Sequence, residues 1–128
     1  MSTSQPVAFS GSLQLAADQS LPQAPIPFNA SGQYTKQTAL LLDIAGAGTT
    51  VVPFGTITAP GAKGVFVRYD AQPSPAAAVT VAINAGTQPV ELSPGGFLAY
   101  FNPTPAAGIT SMSVVATAAC QLRIWLLA

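Results

Sequence analysis

The sequence predicts an all-β chain: a single antiparallel β-sandwich of seven or eight strands over residues 38–128, behind an extended N-terminal arm over residues 1–37. Three observations carry that prediction. From residue 38 onward, short runs of β-branched and aromatic residues recur at the spacing of about 8–12 residues expected of sandwich strands. Gly, Pro and Asn divide these runs, and inside them apolar side chains alternate with a period of two, not with helical spacing. Residues 1–37, by contrast, are rich in Ser, Gln, Ala and Pro.

The arm comes first. In LPQAPIPF, Pro22, Pro25 and Pro27 crowd together, which forbids a helix and favours polyproline-like geometry. VAFSGSLQL ahead of them could form a short strand or hairpin around residues 10–12. The expected whole is a segment without regular structure of its own, able to reach a neighbour, with Val7, Ile26 and Phe28 as its apolar pegs.

Eight strands are expected behind it, over 39–45, 49–58, 64–70, 78–84, 89–93, 97–102, 109–117 and 120–127. Pro53 in TTVVPFGTIT cannot donate to a ladder, so that run is an edge strand, carries a bulge, or bends at Pro53 and Gly55. In KGVFVRYD, Val65, Val67 and Tyr69 alternate with Phe66, Arg68 and Asp70. In AVTVAIN, Val79, Val81 and Ile83 alternate with Thr80, Ala82 and Asn84. The Pro94-Gly95-Gly96 triplet between two strand-like runs predicts a hairpin turn, since Pro presets one φ and Gly accepts a positive one. ITSMSVVAT alternates again. The last run, CQLRIWLL, is apolar on both faces, so Trp125 either packs in the core or anchors an interface beside Arg123.

Composition bounds the function. The chain of 128 residues has the size of one domain. Lys, Arg, Asp and Glu make only 6% of it, with a net charge of zero, against about 25% in ordinary soluble domains. Such a surface is either dressed in uncharged polar residues or covered, by copies of the same chain or by a larger assembly. Lys36, Lys63, Arg68 and Arg123 are scattered and form no stripe for phosphates, so nucleic acid is not an expected direct partner. No apolar run reaches the roughly 18 residues of a membrane span. MSTSQPVAFS has neither the basic nor the apolar segment of a secretory leader, which disfavours export by that route.

Chemistry is scarce. With no histidine, Ser-His-Asp and Cys-His catalysis and His-based metal sites are excluded. Asp18, Asp43, Asp70 and Glu91 are widely separated, with nothing to pair two of them as a glycosidase would need. TAPGAKGVF lacks the glycine spacing and the Ser or Thr of a phosphate loop, so Pro60-Gly61 reads as a turn. Asp43, Asp70 and Asn84 could offer oxygens to Ca²⁺, a weak signal at strand ends. Cys120 reads as a small buried hydrophobe. The expectation is therefore a non-enzyme without cofactor or metal, whose candidate residues are the anchors Phe97, Tyr100, Phe101 and Trp125 and the pegs Val7, Ile26 and Phe28. An aromatic platform for sugars is the other use of such side chains.

The C-terminal stretch carries a resemblance. A strand, the SPGG turn at 93–96, the apolar run 97–101, a Gly-led strand over 108–117 and a final strand ending in RIWLLA look like the small β-sandwich structural proteins of tailed bacteriophages, the capsid decoration or cement class. That resemblance covers about the last 40 residues. It implies a jelly-roll-like sandwich on the outside of an icosahedral head, made in the host cytoplasm, bridging major capsid subunits as a dimer or trimer. A tail, neck or fibre component, or a glycan-binding module, is the alternative expectation.

Overall fold

Successive residues that alternate between a more buried and a more solvated side build a sheet, and the runs 37–44, 112–116 and 120–127 do so from end to end. The structure, a computed structural model, describes residues 4–13, 26–70, 77–102 and 106–128. Among them are ten strands and no helix, hence no helix long and apolar enough to cross a membrane. They are β1 (Gln5–Leu13), β2 (Ile26–Tyr34), β3 (Gln37–Ile44), β4 (Gly48–Val51), β5 (Gly64–Tyr69), β6 (Val79–Ile83), β7 (Val90–Leu92), β8 (Phe97–Phe101), β9 (Met112–Ala116) and β10 (Cys120–Leu127).

The eight strands from β3 onward pair first with last: β3 with β10, β4 with β9, β5 with β8 and β6 with β7, all antiparallel. Two more pairings, β10 with β5 and β9 with β6, join this folded ribbon into two four-stranded sheets, ordered β3-β10-β5-β8 and β4-β9-β6-β7. One sheet sends Val65, Val67, Tyr69, Leu122, Ile124 and Leu126 inward, and the other sends Val79, Val81, Met112, Val114 and Ala116. All of them belong to one core and all are buried. Burying each large side chain contributes about 1.5–3 kcal/mol, which fixes the register: a one-residue slip would expose the whole set. The Tyr69 hydroxyl donates to the Ala77 carbonyl at 2.9 Å, so its polar end is satisfied inside.

Several connections differ from the sequence reading. The run 49–58 is strand only to Val51 in β4, an edge strand. Val52 still donates to the Met112 carbonyl, but Pro53 has no N–H to continue the ladder, and Gly55 turns the chain at φ +61°. The SPGG segment is a turn but not a hairpin. Gly96 donates to the Ser93 carbonyl at 2.8 Å with Gly95 at φ +87°, yet β7 pairs with β6 and β8 with β5. The turn carries the chain from one sheet to the other. The β6–β7 hairpin is instead closed at Asn84 and Ala85, both at positive φ, with Gly86 donating to Ile83.

The run 109–117 is strand only over β9, because Ile109 leaves the alternation to bridge Ala62 across the chain. Here Gly61 lies at φ +110°, and a Cβ on it would stand 2.6 Å from the Ile109 carbonyl oxygen. Only glycine allows so close an approach.

Residues 1–37 depart from expectation in part. β1 falls on the run that could form a short strand and passes through 10–12 without a hairpin, but the described segment is not otherwise structureless: β1 and β2 form a separate two-stranded antiparallel ribbon, from Gln5 opposite Tyr34 to Leu13 opposite Ile26. Pro6 and Pro27 fit because both strands of such a ribbon are edges, where an absent N–H can face away from the partner. Pro22 and Pro25 lie outside the described residues. The ribbon is moored where Thr35 and Lys36 donate to the Ala128 carbonyl, where Lys63 Nζ donates to the Gln33 carbonyl at 2.6 Å, and where Phe9 meets Phe101 at 5.2 Å between ring centroids.

Candidate functional site

The residues that alternate away from the core give the two sheets unlike outer faces. On the β4-β9-β6-β7 sheet, a register row across the strands reads Thr49, Val115, Thr80, Glu91, a mixed surface. On the β3-β10-β5-β8 sheet three successive rows read Gln37, Leu127, Gly64, Phe101; then Ala39, Trp125, Phe66, Ala99; then Leu41, Arg123, Arg68, Phe97. Trp125 is 60% exposed, Phe97 64% and Leu41 55%. This is the candidate site: an outward sheet face that is mostly apolar, with two arginines in its third row.

Register assembles it. β5 contributes Phe66 and Arg68, β10 contributes Trp125 and Arg123, and their antiparallel pairing sets Phe66 against Trp125 and Arg68 against Arg123. The Phe66 ring lies 5.9 Å from Phe97 and 6.4 Å from Trp125, centroid to centroid. Two like charges side by side would repel, but Asp70 sits between them: Arg123 Nε is 2.9 Å from its Oδ2 and Arg68 Nε 3.4 Å from its Oδ1. Such exposed pairs add little stability, about 0–1 kcal/mol each, so their effect is chiefly to hold both guanidinium groups in place. Phe66, Arg68, Arg123 and Trp125 wall a shallow cleft of about 120 Å³. A second cavity of about 330 Å³ lies between the ribbon and the sheet, lined by Val7, Ala8, Tyr34, Ala39, Trp125 and Leu127 among others.

Of the anticipated anchors, Trp125, Phe97 and Phe101 share this face. Tyr100 does not: it projects from the other side of β8 and packs against the core. Val7 lines the larger cavity. Ile26 and Phe28 pair through their backbones with Leu13 and Gly11, and their side chains lie outside the described residues. Phe66, Arg68 and Leu41 were missed. The signal was present as two short patterns, Phe-x-Arg in β5 and Arg-x-Trp in β10, which become one cluster only when the strands pair.

Asp70 is engaged by the two arginines, and Asn84 Oδ1 accepts the backbone N–H of Thr110 at 2.7 Å and of Ser111 at 3.3 Å. These two residues serve separate parts of the fold and do not converge on a cation. Among the described residues no three of His, Cys, Asp and Glu come close enough to hold a metal. Burial first, and then the negative charge of Asp43, push the Cys120 thiol above its ordinary range. No family model matches the chain, and no curated protein or solved structure matches it.

Proposed function

We propose that the chain is a virion structural protein, a decoration or cement protein that binds the outside of a phage head and stabilises contacts between major capsid subunits. The observation that carries this reading is the outer face of the β3-β10-β5-β8 sheet, apolar in most of its positions on a chain with a net charge of zero. A surface of that kind is stable when it is covered. Support also comes from the pairing of first strand with last, which is the order of an eight-stranded jelly roll, an architecture frequent in viral shells. Catalysis has no part in the proposal, and neither does nucleic acid, since Arg68 and Arg123 are tied to Asp70 and Lys63 to Gln33.

The mechanism is mechanical. Copies of the chain associate with one another and with the shell, and the area buried across subunit junctions adds to the free energy needed to separate them. The β1–β2 ribbon, with Val7, Ile26 and Phe28, supplies the reach toward the neighbouring shell subunit. Shells carrying the protein are expected to withstand heating and low salt that open bare ones. Equal survival of bare and decorated shells removes the cement role.

A second reading, a tail or fibre component or a glycan-binding module, draws on the cleft between Phe66 and Trp125 with its two oriented guanidinium groups. Glycan-array binding that disappears in Trp125→Ala with the fold intact favours it. Tyr100→Ala is no probe of that site, because Tyr100 faces the core.

A further inference from the structure

We infer that the open edge of β8 is a strand-pairing site whose occupant is β8 of a second copy, the two sheets joining edge to edge across a two-fold axis. The inference rests on the reading of the chain as a self-associating structural protein and names the element that does it. Hydrogen bonding is the first argument. β8 ends the order β3-β10-β5-β8, so one of its sides has no strand beside it among the described residues. Tyr69 donates to the Gly96 carbonyl and Asn102 to the Lys63 carbonyl, at the two ends of the β5–β8 ladder. Bonded residues alternate along an antiparallel pair. Leu98 and Tyr100 therefore bond to Val67 and Val65, while the N–H and C=O groups of Phe97, Ala99 and Phe101 point away from β5. A row of donors and acceptors at strand spacing is a template for another strand.

The second argument is that, among the described edges, this one is unguarded. Proline, charge, brevity or a covering loop keeps a sheet edge from pairing. β3 carries Asp43 and has the Phe54–Gly55 turn against Thr38, whose hydroxyl donates to the Phe54 carbonyl at 3.0 Å. β4 has four residues and its course is stopped at Pro53. β7 has three, follows Pro89 and carries Glu91. The ribbon strands carry Pro6 and Pro27. β8, with the five residues Phe-Leu-Ala-Tyr-Phe, has neither charge nor proline.

The third argument selects the occupant. The order aromatic, apolar, small, apolar, aromatic reads the same in both directions about Ala99, as a two-fold axis through an antiparallel pair requires. Centred there, Ala99 faces Ala99 of the second copy with only methyl groups at the axis, and Phe97 faces Phe101 of the second copy as a cross-strand aromatic pair. Phe97, Ala99 and Phe101 then each exchange both hydrogen bonds with their opposites, so every open group of the edge is used. Between them Leu98 meets Tyr100, both half-buried at the margin of the core, and each covers the other's exposed side. A register shifted by two residues would set Phe97 against Ala99 and Phe101 against Gly95, so the side-chain pattern specifies one alignment.

Sedimentation velocity and amide hydrogen exchange, resolved residue by residue, are measured together across a wide concentration range. The expected result is a monomer–dimer equilibrium in which exchange at Phe97, Ala99 and Phe101 slows as the dimer fraction rises, while Leu98 and Tyr100, already bonded to β5, change little. Ala99→Pro removes one outward N–H and no bond of the β5–β8 ladder. With an unchanged circular dichroism spectrum, it is expected to raise the dissociation constant at least about thirty-fold. Ala99→Lys, which adds the guard this edge lacks, is expected to act in the same direction. Val51→Lys, on the exposed edge of the other sheet, is expected to leave the constant unchanged. A chain that stays monomeric throughout, or a dimer in which the three amides exchange as they do in the monomer, overturns the inference. The wild-type measurement decides between these outcomes even if the substitutions fail to fold. Protection of the same amides by added capsid subunits, and not by concentration, assigns the edge to a strand of the shell protein and overturns it too. Shell stability is scored separately: a monomer that protects shells refutes the pairing and keeps the cement role, and a β8-paired dimer that leaves shells unprotected does the reverse.

Discussion

Cys120 and Tyr69 are the two titratable side chains that the core takes in, and both are pressed toward their neutral forms. Burial acts first on each; the charge of Asp43 adds to it for Cys120, and that of Cys120 for Tyr69, where the hydrogen bond to the Ala77 carbonyl works the other way. An acid whose pKa is higher when folded holds its proton more tightly in the native chain than in the unfolded one. Its contribution is complete below the unfolded value, about 8.5 for a thiol and about 10 for a phenol, and is lost as pH rises beyond it. Stability to urea is therefore expected to fall as the solution is made alkaline, beginning at the thiol value. In Cys120→Ala the onset of that fall should move up toward the phenol value, which denaturation midpoints measured at a series of alkaline pH values will show. With no histidine in the chain, no imidazole superimposes a transition near neutrality.

At the scale of elements, the ribbon and the two four-stranded sheets are unequal. The four-stranded sheets own the core, while β1 and β2 form their own sheet, moored to the rest at Ala128, Lys63 and Phe101. A two-stranded ribbon alone is marginal in water, so the larger sheets support the ribbon more than the reverse. Deleting residues 1–34 is expected to leave the two larger sheets folded, with an unchanged β-type circular dichroism signal from 37–128 and a thermal midpoint lowered by only about 4–8 °C, the effect of roughly 1 kcal/mol. Complete unfolding of that fragment would contradict this division. The same division explains what could be read beforehand. Alternation in β5, β6, β9 and β10 was legible because burial of one face imposes it on the sequence directly. The ribbon was not, because its pairing joins segments separated by a long connection, and proline at an edge strand looks the same as proline in a loop. SPGG declared a turn through the φ values it permits, but a turn's residues do not say which sheet the next strand enters. Trp125 and Phe97 could be singled out by residue type alone, but that they share one exposed face with Phe66 and the arginines needed the register of β5 on β10.

For the whole molecule, the order of strands matters as much as their contacts. β10 lies inside its sheet, with β3 on one side and β5 on the other, yet it follows every other described strand in sequence. Nearly all pairings apart from β6 with β7 also span long stretches of chain, so few local contacts can reward early closure. During synthesis, β3 and β5 therefore emerge with no strand to lie between them, and the apolar sides of both wait uncovered until Leu122, Ile124 and Leu126 leave the ribosome. A chain stopped after residue 119 is expected to be captured by chaperones and cut rapidly by protease, and the full chain to resist both; protease resistance of the stopped chain would show that the sheet closes without its inner strand. The inner place of this sheet is therefore filled by the described strand that lies farthest along the sequence, so any interruption of synthesis before residue 120 leaves open two sheet edges that the intact fold closes.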